Sequence, residues 1–240
     1  MNIAFTPKNL ARVRGVRKAD KATNRRSFCG VVPWFDLDNL MAPTGKRRSS
    51  KEGLIEFESL LEHDFLVLTR SDGITTSVRP QPIRFHWWDP RTSQWRVHIP
   101  DFAVMRRFVP KPVYIQVKPK AVADALSEEL GLIKAAFRQR GLSYEVWTDE
   151  DIRRQPRFSN AELLFDQSGP LEDVEALDRV RKVLKEAAPS VLSVAEVREA
   201  AGIGPRAFQA ILRLHMRNEV DLNLERPLDA KALVQPTFVD

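Results

Sequence analysis

Between residues 54 and 147 the spacing of apolar residues switches between a helical and an extended period. Leu54, Phe57, Leu61, Phe65 and Leu68 recur at intervals of three and four, which predicts one helix over 54–68. Asp72-Gly73 breaks it. Residues 74–88 have strand character, interrupted by Pro80 and Pro82, and a turn is expected over 89–93. Trp95, Val97 and Ile99 alternate with Arg96 and His98, a period-two strand. Residues 102–108 continue in extended form. Lys111-Pro112 marks a turn, and the apolar run Val113–Val117 reads as a buried strand. Leu126, Leu130, Ile133 and Phe137 form one stripe, predicting a helix over 124–140 that Gly141 caps. A strand over 142–147 follows. This alternation specifies an α/β core.

The chain of 240 residues is long enough for that core and a small second domain. Three parts are expected. Residues 1–51 form a basic arm, 52–168 the α/β domain, and 172–240 a helical module. Gln167-Ser168-Gly169-Pro170 is the linker. Within the arm, Val31-Val32-Pro33-Trp34-Phe35 is the one apolar run, suited to docking on the core. The arm carries twelve Lys or Arg against three acids, more than the whole chain's net charge of +6. Lys46, Arg47 and Arg48 are its densest cluster. Such a block suits a polyanion such as DNA; the other reading is a solvated tail. No apolar stretch approaches ~18 residues, so no membrane partner is expected. No apolar segment backs the N-terminal basic residues, so a secretory signal is not expected and the reading is cytoplasmic. Cys29 is the only cysteine and the four histidines lie far apart, which excludes an internal disulfide and any familiar zinc spacing.

In the last part, residues 174–187 read as a first helix ended by Pro189. Ser193 and Glu196 form a capping-box pattern before a second helix over 194–201. Gly202-Ile203-Gly204 ends that helix and a third is expected over 205–218. Two helices joined by a glycine turn suggest helix-turn-helix. Residues 220–222 and 232–234 are candidates for a small wing. Arg206, Gln209, Arg213 and Arg217 lie on the third helix, and the first three share a face. They are candidate DNA contacts; docking of a partner protein is the alternative.

Cleavage of a phosphodiester with a hard divalent cation needs oxygen ligands, usually two or more carboxylates, and a fixed cation near the scissile group. Pro100-Asp101 closes one predicted strand. Gln116-Val117-Lys118 closes another fifteen residues later. A spacing of two puts Gln116 and Lys118 on one sheet face. Asp101 also reads as a turn residue and Lys118 as a solvated strand end. A helix-borne acid, Glu62 or its rival Glu58, completes the set. Gln81 is either a DNA contact or support for the site, or it satisfies backbone at a proline-interrupted edge strand. Phe85, Trp87, Trp88 and Trp95 read as hairpin packing rather than a base-stacking platform.

The ordered set is more specific than any piece. Ser59-Leu60-Leu61-Glu62, then Val78-Arg79-Pro80-Gln81-Pro82, then Ile99-Pro100-Asp101-Phe102, then Ile115-Gln116-Val117-Lys118-Pro119, and finally 144–152, together resemble TnsA-type endonuclease subunits of heteromeric DNA transposases. The likeness covers about residues 30–155 and extends weakly to the tail. It implies a restriction-endonuclease-like mixed sheet flanked by helices, followed by a small winged-helix-like helical domain. It implies a magnesium-dependent endonuclease, with manganese as a substitute ion, that nicks DNA at the 5′ ends of a transposon. Glu62, Asp101, Gln116 and Lys118 match the family's catalytic positions. Glu62, Asp101, Gln116 and the Val117 carbonyl would hold the metal. Gln116 departs from the general Glu/Asp-X-Lys pattern of such nucleases, so two carboxylates remain and weak metal binding is expected. The implied partners are transposon-end DNA, a TnsB-like transposase and a TnsC-like AAA+ ATPase regulator. The rival expectations are a stand-alone restriction or repair nuclease and a non-catalytic DNA-binding regulator.

Overall fold

The structure, a computed structural model, describes residues 30–33, 54–167 and 172–237. The chain separates into two compact units. Described residues up to Leu66 together with 76–149 make the first. Residues 67–75 and those from Glu150 onward make the second. Lys46, Arg47, Arg48 and the Trp34-Phe35 pair lie outside the described residues.

In the first unit, β1 (Gly30–Pro33) pairs antiparallel with β2 (Leu54–Phe57), with Val32 opposite Ile55. Both of those side chains are buried. Residues 54–57 are therefore a strand, a correction to the helix predicted over 54–68. Leu54 and Phe57 fit the helical spacing, but the buried pair is Ile55 and Phe57, two apart with exposed Glu56 between them. Ser59 then caps the helix α1 (Leu60–Arg70) and fixes where helical backbone begins. On α1, Phe65 stacks on Phe102 and meets Trp147 edge-on, both at 5.5 Å between ring centroids.

The central sheet contains β3 (Thr75–Pro80), β6 (Phe102–Arg106), β7 (Val113–Val117) and β8 (Ser143–Trp147), in that spatial order. β6 and β7 are antiparallel, with Phe102 opposite Ile115. β7 and β8 are parallel, with Gln116 beside Val146. The sheet is thus mixed. Its parallel pair needs a crossover, supplied by α2 (Lys120–Ala125) and α3 (Ser127–Gln139). These two helices replace the single one expected over 124–140. The chain leaves helical geometry at Leu126, which is 40% exposed rather than on the buried stripe. Ile133 and Phe137 are buried as the periodicity requires. Gly141 ends α3 with φ +67°, and Leu142 N–H closes onto the Phe137 carbonyl at 3.1 Å, a Schellman ending that favours glycine. The strand expected over 102–108 stops at Arg106, and Phe108 is almost wholly exposed with a left-handed φ.

A separate hairpin joins β4 (Phe85–Asp89) to β5 (Gln94–His98). Its aromatics divide by pleat. Phe85 and Trp87 point inward, onto Phe137, Tyr114, Tyr144 and Ile133. Trp88 and Trp95 are exposed and meet edge-to-face at 5.8 Å. Asp89 ends β4 fully buried and accepts two hydrogen bonds of 3.0 Å from the Arg91 guanidinium. Those bonds hold its carboxyl below the usual carboxylate range. Glu129 of α3 accepts from Arg91 and Arg96 as well, which ties hairpin to helix.

The second unit adds α4 (Asp149–Ile152), α5 (Arg157–Asp166), α6 (Val174–Ala187), β9 (Leu192–Ser193), α7 (Val194–Ala201), α8 (Pro205–Met216), β10 (Val220–Asp221) and β11 (Leu233–Pro236). The Ser193–Glu196 capping box is formed and Gly202 caps α7 at φ +63°. α8 ends at Met216, two residues earlier than predicted; Asn218 has φ +57° and cannot continue a helix. β10, β11 and β9 form a small antiparallel sheet. Leu177, Val180, Val197, Ile211 and Val234 are almost completely buried at its core. The α5 helix was not read from sequence. Its buried Asn160 donates to the carbonyls of Leu224 and Arg226 at 2.8 and 2.7 Å, pinning the 224–228 loop. Among the described residues, no helix is long and apolar enough to cross a membrane.

Phe137 lies fully buried between Phe85 (3.7 Å) and Tyr144 (4.8 Å). Phe137→Ala is expected to lower stability by about 3–5 kcal/mol, read as a fall in the urea midpoint of the transition that tryptophan fluorescence reports.

Candidate active site

The site begins with a helix cap. Ser59 Oγ accepts from Glu62 N–H at 3.2 Å. The Glu62 carboxylate accepts in return from Ser59 Oγ at 3.0 Å and Glu58 N–H at 2.8 Å. This reciprocal box gives the Ser-X-X-Glu pattern a structural cause, and it also fixes Glu62 in one rotamer. Glu58 precedes the helix, a correction to its placement one turn earlier on the same helical face. It is exposed and accepts from Gln81 Nε2 at 2.9 Å.

Asp101 stands one residue ahead of β6. The register that sets Phe102 opposite Ile115 sets Asp101 toward Gln116. Asp101 Oδ2 accepts from Gln116 Nε2 and, at 2.7 Å, from Val117 N–H. Its carbonyl accepts from Gln81 N–H at 2.8 Å. Gln116 is buried, whereas Lys118 is half-buried at the mouth of the strand. Lys118 N–H donates to the Trp147 carbonyl at 3.0 Å, which fastens the ends of β7 and β8 together.

The electrostatics show that these groups sense one another. Burial pushes the Asp101 carboxyl up to about 7; the Lys118 ammonium and Val117 N–H oppose the rise, and the charges of Glu62 and Glu58 reinforce it. Burial also raises Glu62, against the Glu58 N–H and Ser59 bonds and the pull of Lys118. His98 is pushed down to about 4 by burial and then by Lys118. Tyr144 is pushed up by burial and then by Asp101. His98 Nε2 and Tyr144 Oη are buried without a hydrogen-bond partner among the described residues, and their rings lie 5.4 Å apart.

Asp101, Gln116 and Val117 are therefore joined by hydrogen bonds, and Glu62 and Lys118 lie near enough for their charges to act on Asp101. Gln81 was kept outside the catalytic set, and the structure makes it a brace touching both Asp101 and Glu58. The flanking Pro80 and Pro82 were its only sequence signal. His98 and Tyr144 went unread, because a histidine and a tyrosine inside strand periodicity look like packing. Among the described residues no group of three or more His, Cys, Asp or Glu is arranged to hold a metal ion. The donors that do converge are two carboxylates and an amide, all hard oxygen ligands of the kind magnesium takes.

In the second unit the α8 candidates are not a bare basic face. Arg206 forms a fork with Asp173 at 2.6 and 2.8 Å and reaches Glu175 at 2.9 Å. Asp173 is held down to about 2 by that fork. Arg217 is bound by Glu172 at 2.5 Å, and Arg213 lies 3.6 Å from the same carboxylate. Gln209 is exposed and lines a cleft with Leu163, Arg198, Phe208 and Leu212.

No protein-family model matches the chain, and no curated protein matches it.

Because Asp101 titrates near 7 when folded and near ~4 when unfolded, the folded chain holds the extra proton between those values. Stability from this group is then fully present below about pH 4 and falls as pH rises toward 7. In chelator, Asp101→Asn is expected to flatten that decline and to raise stability at pH 8 by up to roughly 3 kcal/mol. Thermal melts at pH 5 and pH 8 check this; equal pH slopes for variant and parent would refute it.

Proposed function

We propose that the chain is a metal-dependent DNA endonuclease that nicks DNA at transposon 5′ ends, as the TnsA-like subunit of a heteromeric transposase. The observation that carries the reading is the convergence of Glu62, Asp101 and Lys118 at the ends of α1, β6 and β7, with Gln116 and Val117 locked onto Asp101. Burial raises both carboxyls, so the anionic form of each is penalised for want of compensating charge. A divalent cation between them would relieve that, and the residues present fit one. Glu62, Asp101, the Gln116 amide oxygen and the Val117 carbonyl would hold magnesium or manganese. When bound, the ion supplies Lewis-acid stabilisation of the phosphoryl oxygens and a more acidic water.

The chain's own residues do the rest. Gln116 Nε2 and Val117 N–H orient the Asp101 carboxylate. The cap at Ser59 orients Glu62. The Lys118 ammonium, fixed by its backbone bond to Trp147, offsets charge that develops on the phosphate as water attacks. The restriction-endonuclease-like sheet and the winged-helix-like tail belong to the same proposal. Ion pairing of Arg206, Arg213 and Arg217 with Glu172, Asp173 and Glu175 favours protein docking over base reading for α8. A TnsC-like ATPase or TnsB-like transposase is the partner of that kind.

The test is nicking of supercoiled plasmid bearing the cognate transposon ends, with the matched transposase and magnesium. Asp101→Ala and Lys118→Ala are each expected to lose about 100-fold or more in rate, with far-ultraviolet dichroism unchanged. Magnesium is expected to raise the melting temperature of the wild type and not of Asp101→Ala. Full activity in either variant would overturn the proposal. Nicking without the transposase would favour a stand-alone nuclease, and DNA binding without nicking a regulator.

A further inference from the structure

The loop joining β3 to β4 is bonded to Asp101 and Glu58 at a point where the chain carries two arginines that are unpaired among the described residues. Gln81 adopts φ +40°, a left-handed conformation unusual for a residue other than glycine. Two bonds keep it there: its N–H to the Asp101 carbonyl at 2.8 Å and its side-chain amide to Glu58 at 2.9 Å. Pro80 and Pro82 stiffen the backbone on either side. Arg79 lies just before this brace and Arg84 just after it. Both are exposed, and among the described residues neither makes an ion pair or a side-chain hydrogen bond. Arg91, Arg96 and Arg106 of the same unit each meet a carboxylate. Among the described residues Arg138 on α3 is unpaired like Arg79 and Arg84, but it does not adjoin the brace. The β4–β5 register, Phe85 opposite His98, directs Arg84 toward the Ile99-Pro100-Asp101 end of the neighbouring strand. The Arg140 guanidinium lies 4.4 Å over the adjoining Phe85 ring and adds a further positive charge.

The geometry points to Arg79 and Arg84 as the contacts for DNA backbone phosphates flanking the scissile one, so that the strand runs along the 81–84 loop. This rests on the nuclease reading above and adds where the substrate lies. A guanidinium fork matches phosphate oxygens in two directions. A cation already paired with an acid must break that pair to do so; these two need not. Because the brace fixes the loop to Asp101, a phosphate held by either arginine is held at a set distance from the carboxylates.

The experiment uses the full chain and a fluorescent duplex oligonucleotide, in chelator, with affinity measured across a range of salt concentration. The double variant Arg79→Ala/Arg84→Ala is expected to bind more weakly. The slope of log K against log salt should become shallower by about 2, one released counterion per arginine. Arg79→Lys/Arg84→Lys should restore most of the slope. Arg138→Ala, an exposed cation on α3, should leave it unchanged. A double alanine variant with the slope and affinity of Arg138→Ala, in a protein that binds and nicks DNA, overturns this inference and leaves the nuclease reading standing. A wild type whose DNA binding depends on Arg79 and Arg84 but which never nicks with the matched transposase and magnesium upholds the phosphate contacts and overturns the nuclease reading, and with it their place beside a scissile phosphate.

Discussion

The arrangement depends on one half-buried carboxylate. Asp101 ends the turn into β6 and accepts from both the side chain and the backbone of β7. Those two bonds align the strands at the position where Lys118 emerges. They also carry a cost, because an anion at this depth is poorly solvated. The raised Asp101 and Glu62 carboxyls and the lowered His98 record the same local shortage of water. A fold with no use for the charge would place an asparagine here and keep much of the bonding. An ionisable group kept at a place that penalises its charge is a candidate functional group.

The surrounding structure holds this geometry still. Phe65, Phe102 and Trp147 pack one face of the sheet, and Phe137 with Tyr114 and Tyr144 packs another cluster. The Asp89–Arg91–Glu129 network fixes the hairpin to α3. Each of these contacts lies within a few residues of a site side chain: Trp147 holds Lys118, Phe102 follows Asp101, and His98 ends the hairpin. Rigid supports so close to the reacting groups are what a preorganised site requires.

Much of this was legible in the sequence, for particular reasons. The strand carrying Gln116-Val117 was legible as an unbroken apolar run because every residue of β7 is buried. The alternation at 95–99 located β5, but its apolar residues Trp95 and Val97 are exposed, and Asp101 leads into β6 rather than closing β5. The helices of the second unit were read from Ser193, Glu196 and Gly202, whose caps act over three or four residues and need no tertiary knowledge. The failures were of the opposite kind. β2 was taken into α1 because its pairing with β1 is a long-range contact invisible to local periodicity. The break at Leu126 has no glycine or proline to announce it. The Glu58–Gln81 bond joins positions 23 apart, and the pairing of Arg206 with Asp173 joins positions 33 apart. The shared helical face of Arg206 and Arg213 was geometrically sound, yet periodicity alone did not reveal that acids at the start of α6 oppose it.

Glu62 serves two demands that compete in principle. As the third residue of the α1 capping box it accepts one hydrogen bond on each oxygen. In the proposed metal site it would also present a lone pair to a cation. A carboxylate has about four such sites, so one bond per oxygen leaves capacity on both. The cap donors are a backbone N–H and a hydroxyl that lie on the helix side, and they hold the group in a single orientation before any ion arrives. The entropy of ordering a long acidic side chain is then spent in folding rather than in binding. A site with only two carboxylates has less charge with which to attract an ion. If the proposed site holds an ion, prior ordering of Glu62 by the helix cap, and of Asp101 by Gln116 and Val117, would offset that shortage of charge.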